Sequence, residues 1–466
     1  MSSLHALNLP LLHRDNPAIA TYRNDTMMAG DPDAVLRARD LQDIEEALRF
    51  CRREKIPVTF CGSQTSMTGA SVATEGLLIT TDAFNRVLDV GEGTCVTQPG
   101  VILSDLKKTV AAEGWFYPPA PTSQDDARVG ATVSTNATGE DSLQYGTTRR
   151  YVREMKVLLA DGSRKTFSRG TEKHTDELNK AGYFLSSNNP LHYFIGGEGT
   201  LGFIYEITLD LIRPPGGFFS ALAPFPSSQA VVDFTVNVLT QGKFHPRAME
   251  MIDENALHYM KTHPTFPKNL REAKALLYFK QEYIKESECD SYLSEWFSAG
   301  LTEDTLVAFN EKQKEEIRLW RHHIPLKLNE EYQHYWKTGG GKVGSDWWVP
   351  IPRLREMIRF VYETGNALGI PFMVYAHLGQ GHPHVNYLCK TPQEKAKAKQ
   401  VLWQCCRKAV ELGGGVTGEH GIGKLHHNLL PIQWNQERIE QMVRIKKEFD
   451  PDWILGRGNI LTPPLK

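Results

Sequence analysis

Two short stretches of this chain carry the side chains best suited to chemistry. The first reads His377-Leu378-Gly379-Gln380-Gly381-His382-Pro383-His384. Imidazole is a good ligand for zinc, manganese or iron, and a glycine-containing loop can bring His377 and His384 to one ion. Three histidines so close together also suit a solvated polar loop. The second stretch, Gly418-Glu419-His420-Gly421-Ile422-Gly423, sets a carboxylate beside an imidazole, between glycines that let backbone approach a ligand closely. Glu419 can serve as a third metal ligand and His420 as a general base. An exposed turn is the plainer reading of that stretch, and it leaves the two His/Gly loops unrelated.

The element that must deliver the first loop is the apolar run over residues 372–376, a strand candidate. Apolar spacing predicts helices over 228–239, 311–328 and 352–368, and a further strand over 275–279. Gly413-Gly414-Gly415-Val416-Thr417-Gly418 matches G-x-G-x-x-G letter by letter. A dinucleotide fingerprint follows a strand and opens a helix, whereas 400–412 reads as a helix that these glycines terminate. Residues 418–424 fit G-x-x-x-x-G-K, yet Leu425 stands where a Ser or Thr should ligate magnesium. Both nucleotide readings are rejected.

In the N-terminal half, Leu41, Ile44, Leu48 and Cys51 recur at helical spacing, and an extended run begins at residues 57–60. Strand candidates follow at 77–80, 95–97 and 203–212, so this half is α/β or α+β. Pro214-Pro215-Gly216-Gly217 is the plainest linker and divides the chain into domains 1–215 and 216–466. Three loops of the first domain are built from small residues. Cys61-Gly62-Ser63-Gln64-Thr65-Ser66-Met67-Thr68-Gly69 can offer consecutive backbone N–H groups to a pyrophosphate, although a tight loop without a ligand would look much the same. Gly130-Ala131-Thr132-Val133-Ser134-Thr135-Asn136-Ala137-Thr138-Gly139 has almost no bulk, which suits backbone pressed against a large flat ligand. The third is Gly196-Gly197-Glu198-Gly199-Thr200-Leu201-Gly202. Three such loops in one domain exceed what turn chemistry needs.

Bulk properties narrow the partners. Lys+Arg 53 against Asp+Glu 55 leaves a formal net charge of -2, so no sequence-wide field draws the chain to nucleic acid. No apolar run approaches the ~20 residues that cross a bilayer, and residues 1–15 lack a signal-peptide pattern, so the expected location is cytoplasmic. The seven cysteines include no C-x-x-C pair, which suits reduced thiols and argues against an iron–sulfur cluster. No internal repeat stands out, and a chain of 466 residues can enclose a deep site.

With these motifs the sequence resembles the FAD-linked oxidases of the vanillyl-alcohol oxidase / p-cresol methylhydroxylase superfamily. The branch it resembles holds D-lactate dehydrogenases, glycolate oxidase and D-2-hydroxyglutarate dehydrogenase. The likeness runs from about residue 33 to 461 and rests on the first loop, on 121–146 with 151–162, on 197–202 and on the two His/Gly motifs. It implies an α+β fold: an N-terminal two-subdomain PCMH-type FAD-binding domain, then a C-terminal α+β substrate domain with an antiparallel sheet and flanking helices. It implies that Gly62, Ser63, Gln64, Thr65, Ser66 and Gly69 grip the pyrophosphate. Pro121, Gly130, Ser134, Ala137, Gly139, Tyr145 and Gly146 would line the ribityl and ring portions, and Glu198, Gly199, Thr200, Gly202, Ile204 and Asn459 would complete the FAD pocket. It implies His377, His384 and Glu419 as ligands of a divalent metal, zinc or manganese, with His420 as base. Arg321 and Lys342 match positions that hold a substrate carboxylate, and His382 stands where a substrate-contacting Asn is usual.

The sequence departs from the family elsewhere. The usual Pro-Arg-Gly-Gly-Gly is here Phe60-Cys61-Gly62-Ser63-Gln64, Gly-Asp-Gly-Asn becomes Gly379-Gln380-Gly381-His382, and Gly456-Arg457-Gly458-Asn459 replaces the common ending. The expected reaction is oxidation of a small 2-hydroxy acid (D-lactate, glycolate or D-2-hydroxyglutarate-like) to the 2-oxo acid, with hydride passing to flavin N5. The electron acceptor would be a quinone, an electron-transfer protein or oxygen. A homodimer and a peripheral position on the inner face of the membrane are further expectations. Rival readings are a non-catalytic flavin-binding subunit of an electron-transfer complex, a same-fold flavoenzyme on another substrate such as an alkylglycerone-phosphate-type synthase, and a zinc hydrolase without flavin.

Overall fold

The computed structural model describes residues 3–171 and 178–463, so Met1 and Ser2 of the N-terminal stretch lie outside it. Its contacts group the chain into two interleaved units. One holds Met1–Gly139, Gly146–Pro214 and Glu419–Lys466; the other holds Glu140–Tyr145 and Pro215–Gly418. Sequence punctuation shows only the break at Pro214-Pro215, because the other crossings are made by segments whose allegiance is set by side-chain partners.

In the first unit, Asp40 caps the helix Leu41–Glu54 by accepting the amides of Gln42 and Asp43. Its apolar stripe covers a sheet of β1 (Leu11–His13), β2 (Ala34–Leu36), β3 (Val58–Cys61) and β4 (Leu77–Thr80), ordered β1-β2-β4-β3. Strands β2 and β3 run parallel to β4. Every residue of β4 is buried, the pattern expected of a parallel strand covered on both faces. Leu36, Ile44, Leu48, Leu77, Ile79 and Phe203 share this core. A second sheet, antiparallel and five-stranded, joins β5 (Val87–Gly91), β6 (Thr94–Thr97), β7 (Val152–Leu158), β8 (Arg164–Ser168) and β9 (Phe203–Asp210) in the order β5-β6-β9-β7-β8. The C-terminal tail is stitched to the first sheet: Val58 N donates to Ile454 O at 2.7 Å and Gly456 N to Val58 O at 2.8 Å. Buried Lys446 anchors the same tail, donating to Asp450 Oδ2 at 2.6 Å, Thr200 O at 2.7 Å and Leu455 O at 2.8 Å.

The second unit is built on one seven-stranded antiparallel sheet. Its strands are β10 (Gly217–Phe225), β11 (Ala248–Ile252), β12 (Ala275–Tyr283), β13 (Leu306–Ala308), β14 (Gly341–Gly344), β15 (Phe372–Ala376) and β16 (His384–Cys389). They lie in the order β13-β10-β12-β11-β15-β16-β14. The helix Glu311–Trp336 lays Ile317, Trp320, Ile324, Leu328 and Tyr332 against Leu222, Ile252, Leu276 and Tyr278 of the sheet. Each such buried aliphatic side chain contributes ~1.5–3 kcal/mol of transfer free energy. The helices Ser228–Thr240, Leu354–Leu368 and Pro392–Glu411 complete an α+β architecture.

Candidate functional site

The histidine loop is the turn of the β15–β16 hairpin, with Tyr375 paired to His384. Ala376 has φ +75°, a left-handed conformation that costs a non-glycine residue ~1–3 kcal/mol, and it redirects the chain into His377. Gly381 closes the turn at φ +68°, and a Cβ there would lie 1.9 Å from Val349 O, so no other residue fits. The rings gather tightly: centroids are 4.8 Å apart for His382 and His384, 5.5 Å for His377 and His384, and 6.2 Å for His377 and His382. Backbone carbonyls orient two of them. His382 Nδ1 lies 2.8 Å from Trp347 O, and His384 Nδ1 lies 3.2 Å from Ser345 O. A carbonyl only accepts, so both rings carry the proton on Nδ1 and present Nε2 to the cluster. His377 has a carboxylate in place of a carbonyl beside its Nδ1, 3.1 Å from Glu250 Oε1.

Glu250 opens a buried ion network that sequence reasoning missed. Arg321 binds Glu250 through Nε and Nη2 and Glu140 through Nη1 at 3.1 Å. Lys280 lies 2.9 Å from Glu140 and 3.1 Å from Asp141, while Arg247 binds Asp141 at 2.6 Å and Glu282 at 3.0 Å. Burial would raise the Glu250 carboxyl, but Arg321 and His377 hold it below its ordinary range. The guanidinium expected to hold a substrate carboxylate is thus already engaged by protein carboxylates. Tyr145, expected beside the cofactor, belongs with Glu140 and Asp141 to the second unit and donates its hydroxyl to Glu282. The signal for Glu250 was a lone acid inside the apolar run Ala-Met-Glu-Met-Ile.

Lys342 sits on edge strand β14, opposite Leu388 of β16. Burial, with no carboxylate to offset it, lowers its ammonium to about 8. Among the described residues no carboxylate pairs with this cation, which suits it to an anionic ligand.

In the first unit the small-residue loops converge through their backbones. Gly196 N donates to Val133 O at 3.0 Å and Glu198 N to Ser134 O at 2.8 Å, joining the second and third loops. A Cβ on Gly62 would stand 3.3 Å from Ala131 Cβ, so the first loop abuts the second. Gly139 passes so close to the 120–121 backbone that a Cβ would lie 2.0 Å from Ala120 O. Convergent chain with few side chains and several left-handed residues (Gln64, Asn136 and Glu198) fits a flavin nucleotide, whose phosphates seek amide donors and whose ring seeks a flat surface. The other residues expected at FAD, from Gly62 to Ile204 and Asn459, all lie in this unit.

Two of them act on the protein rather than outward. Glu198 Oε1 and Oε2 accept the amides of Ile422 at 2.9 Å and Gly423 at 2.8 Å. Burial raises this carboxyl to about 7 in spite of those two amides. Asn459 Nδ2 donates to Ala70 O at 2.8 Å and Glu198 O at 2.9 Å, while its Oδ1 accepts from Lys424 Nζ at 2.7 Å. These bonds tie the first and third loops to the turn that carries Glu419 and His420. Lys180 Nζ adds a bond to Glu419 O at 2.9 Å, and both Glu419 and His420 are half-buried. The Cys61 thiol is buried and raised to about 12, so it is neutral near pH 7.

Comparison with known proteins extends this picture. Residues 219–460 match the family described as FAD linked oxidases, C-terminal domain, and residues 32–168 match an FAD binding domain. Glycolate oxidase subunit GlcD of Bacillus subtilis (strain 168) is 28% identical over 451 residues, covering 92% of this chain and 89% of the relative. D-lactate dehydrogenase of Anaerostipes hadrus is 28% identical over 453 residues, covering 92% and 89%. D-2-hydroxyglutarate dehydrogenase of Stutzerimonas stutzeri (strain A1501) is 26% identical over 446 residues, covering 92% and 91%. Among solved structures, 4-ethylphenol oxidase from Gulosibacter chungangensis superposes with a TM-score of 0.71 at 16% identity, covering 97% of this chain and 94% of that one. An alkyldihydroxyacetonephosphate synthase gives a TM-score of 0.70 at 15% identity, covering 97% and 84%. These two likenesses speak for the fold alone. Among the described residues, no helix is long and apolar enough to cross a membrane.

Proposed function

We propose, from the premise that this chain belongs to the FAD-linked oxidases, that it oxidises a small 2-hydroxy acid of the D-lactate, glycolate or D-2-hydroxyglutarate type to the 2-oxo acid. The observation that carries this reading is the pairing, in one unit, of oriented imidazoles with the half-buried ammonium of Lys342, which no carboxylate among the described residues offsets. An anion bearing an adjacent hydroxyl is the ligand such a pair suits. FAD, when bound, supplies the hydride acceptor, and a divalent cation lowers the pKa of the substrate hydroxyl.

The chain's own residues do the rest. Lys342 holds the substrate carboxylate as an ammonium–carboxylate pair. Arg321, clasped by Glu250 and Glu140, balances the buried charge of that network instead of holding the substrate carboxylate. His377, His384 and Glu419 would hold the divalent cation, as the sequence argument assigns. His420 takes the hydroxyl proton on a ring nitrogen, and its turn is kept in place by the bonds from Glu198 to Ile422 and Gly423. The loops at 62–69, 130–139 and 196–202 bind FAD, and excluding water from them protects the transferred hydride.

The test is direct. The visible spectrum of the purified, FAD-loaded protein is recorded anaerobically while D- and L-2-hydroxy acids are added one at a time. Bleaching of the flavin by at least one of them is the expected result. A yellow protein that no member of the panel reduces would overturn the substrate class.

A further inference from the structure

The first small-residue loop is built to receive negative charge and brings no positive charge of its own. Residues 61–69 contain neither Lys nor Arg. Among the described residues, the backbone amides of Ser63, Gln64, Thr65, Ser66 and Met67 donate to no protein acceptor. Gln64 has φ +54°, a left-handed conformation that turns successive amides toward a common centre. The loop is half-buried, so donors left unmet there cost free energy unless a ligand accepts from them. An anion held by these amides also needs a cation, which has to come from elsewhere in the fold.

Most cations around the loop are already committed. Arg128 packs its stem against Gly62, but its guanidinium binds Asp82 at 2.8 Å and Gly100 O at 2.5 Å. Arg23 faces Asp31 at 3.5 Å, and Arg457 faces Glu75 at 3.3 Å. Lys424 differs. Its backbone N donates to Thr68 O at 2.8 Å, which fixes it at the end of the loop. Among the described residues its half-buried ammonium bonds only neutral oxygens, Asn459 Oδ1 at 2.7 Å and Gly69 O at 3.4 Å. The two carboxylates that act on it are spent on main-chain donors: Asp25 accepts the amides of Met27, Met28 and Gly69, and Glu198 those of Ile422 and Gly423. Burial lowers the ammonium to about 8 although Glu198 and Asp25 favour its charged form. We propose that Lys424 is a cofactor-binding residue whose ammonium forms an ion pair with the FAD pyrophosphate that the 63–67 amides cradle. The proposal rests on the reading that this loop receives FAD. The lysine that ends the rejected G-x-x-x-x-G-K match thus serves a phosphate on a loop supplied by another part of the chain, and it gives the turn of His420 a direct hold on the cofactor.

Full-length protein is stripped of flavin and titrated with FAD and, separately, with riboflavin, which has the ring but no phosphate. Quenching of flavin fluorescence reports both. Lys424→Gln keeps a donor for Asn459 and removes the charge. It is expected to weaken FAD binding by at least ~10-fold and to leave riboflavin affinity within about 2-fold of wild type. Wild-type FAD affinity in the variant, or an equal loss for both flavins, would overturn the assignment. Salt gives a second readout where riboflavin binds too weakly to titrate. Rising ionic strength should weaken FAD binding to wild type more steeply than to Lys424→Gln, and equal slopes refute the ion pair. Should the variant fail to fold, a crystal structure of the wild-type FAD complex decides: a phosphate oxygen within ~4 Å of Lys424 Nζ sustains the assignment, and a longer separation refutes it. A wild-type chain that takes up neither flavin removes the flavin reading itself, and this assignment with it.

Discussion

Lys342 is where a single side chain has the most to say about substrate. Its ammonium is lowered to about 8 by burial, and an anion beside it favours the charged form. Substrate affinity should therefore be constant below about pH 8 and weaken as pH rises above it, because the neutral amine must first be protonated. A KM profile flat through pH 9 would contradict this. A charge-assisted bond is worth ~1.5–3 kcal/mol, so Lys342→Met should raise KM by roughly 10- to 150-fold. His377, His384, Glu419 and His420 could be named from the sequence as candidates because each motif is contiguous. Glu250 escaped, since what makes it notable is a partner brought by strand register and not by spacing along the chain.

Among elements, the long helix and the third glycine loop carry testable loads. Arg321 leaves the helix Glu311–Trp336 to bind Glu250 and Glu140 in a buried setting. Arg321→Met leaves buried Glu250 with His377 alone and takes from Glu140 one of its two cations, so it should lower unfolding stability by ~3–5 kcal/mol in urea denaturation. A loss below ~1 kcal/mol would mean that the network relaxes around the gap. Glu198 titrates in the opposite sense to a paired carboxylate. Its folded pKa, about 7, lies above the ordinary 4.5, so the folded state binds this proton more tightly. Its stabilising contribution is complete below about 4.5 and is lost as pH rises through about 7. Glu198→Gln should remove that slope, making the variant compare best with wild type above pH 7. An equal stability difference at both ends of the window would contradict this. Periodicity located 77–80 and 372–376 as strands over the observed residues, and the helix starts at 228 and 311 likewise. It stopped the long helix at 328 because Asn329, Glu330 and Glu331 break the apolar stripe. It missed β14 because Gly339-Gly340-Gly341 reads as loop, although Gly341 begins the edge strand that carries Lys342.

On the scale of the whole molecule, one chain is woven into two units, with a short segment and a C-terminal tail each joined to the unit from which sequence order separates it. The α+β class and the antiparallel second sheet were legible from the order of elements and from family likeness. The interleaving was not, since the tail's attachment depends on Lys446, Asp450 and the backbone of β3 meeting in space. The consequence for function is that His420 sits in the unit with the flavin loops, on a turn that Glu198 and Lys180 hold. The central claim is that this imidazole removes the substrate's hydroxyl proton. The most direct measurement is anaerobic stopped-flow reduction of the flavin in His420→Ala by whichever 2-hydroxy acid bleaches wild type. The account predicts normal flavin content and reduction slower by ~10²–10⁴-fold. Reduction at the wild-type rate would contradict it.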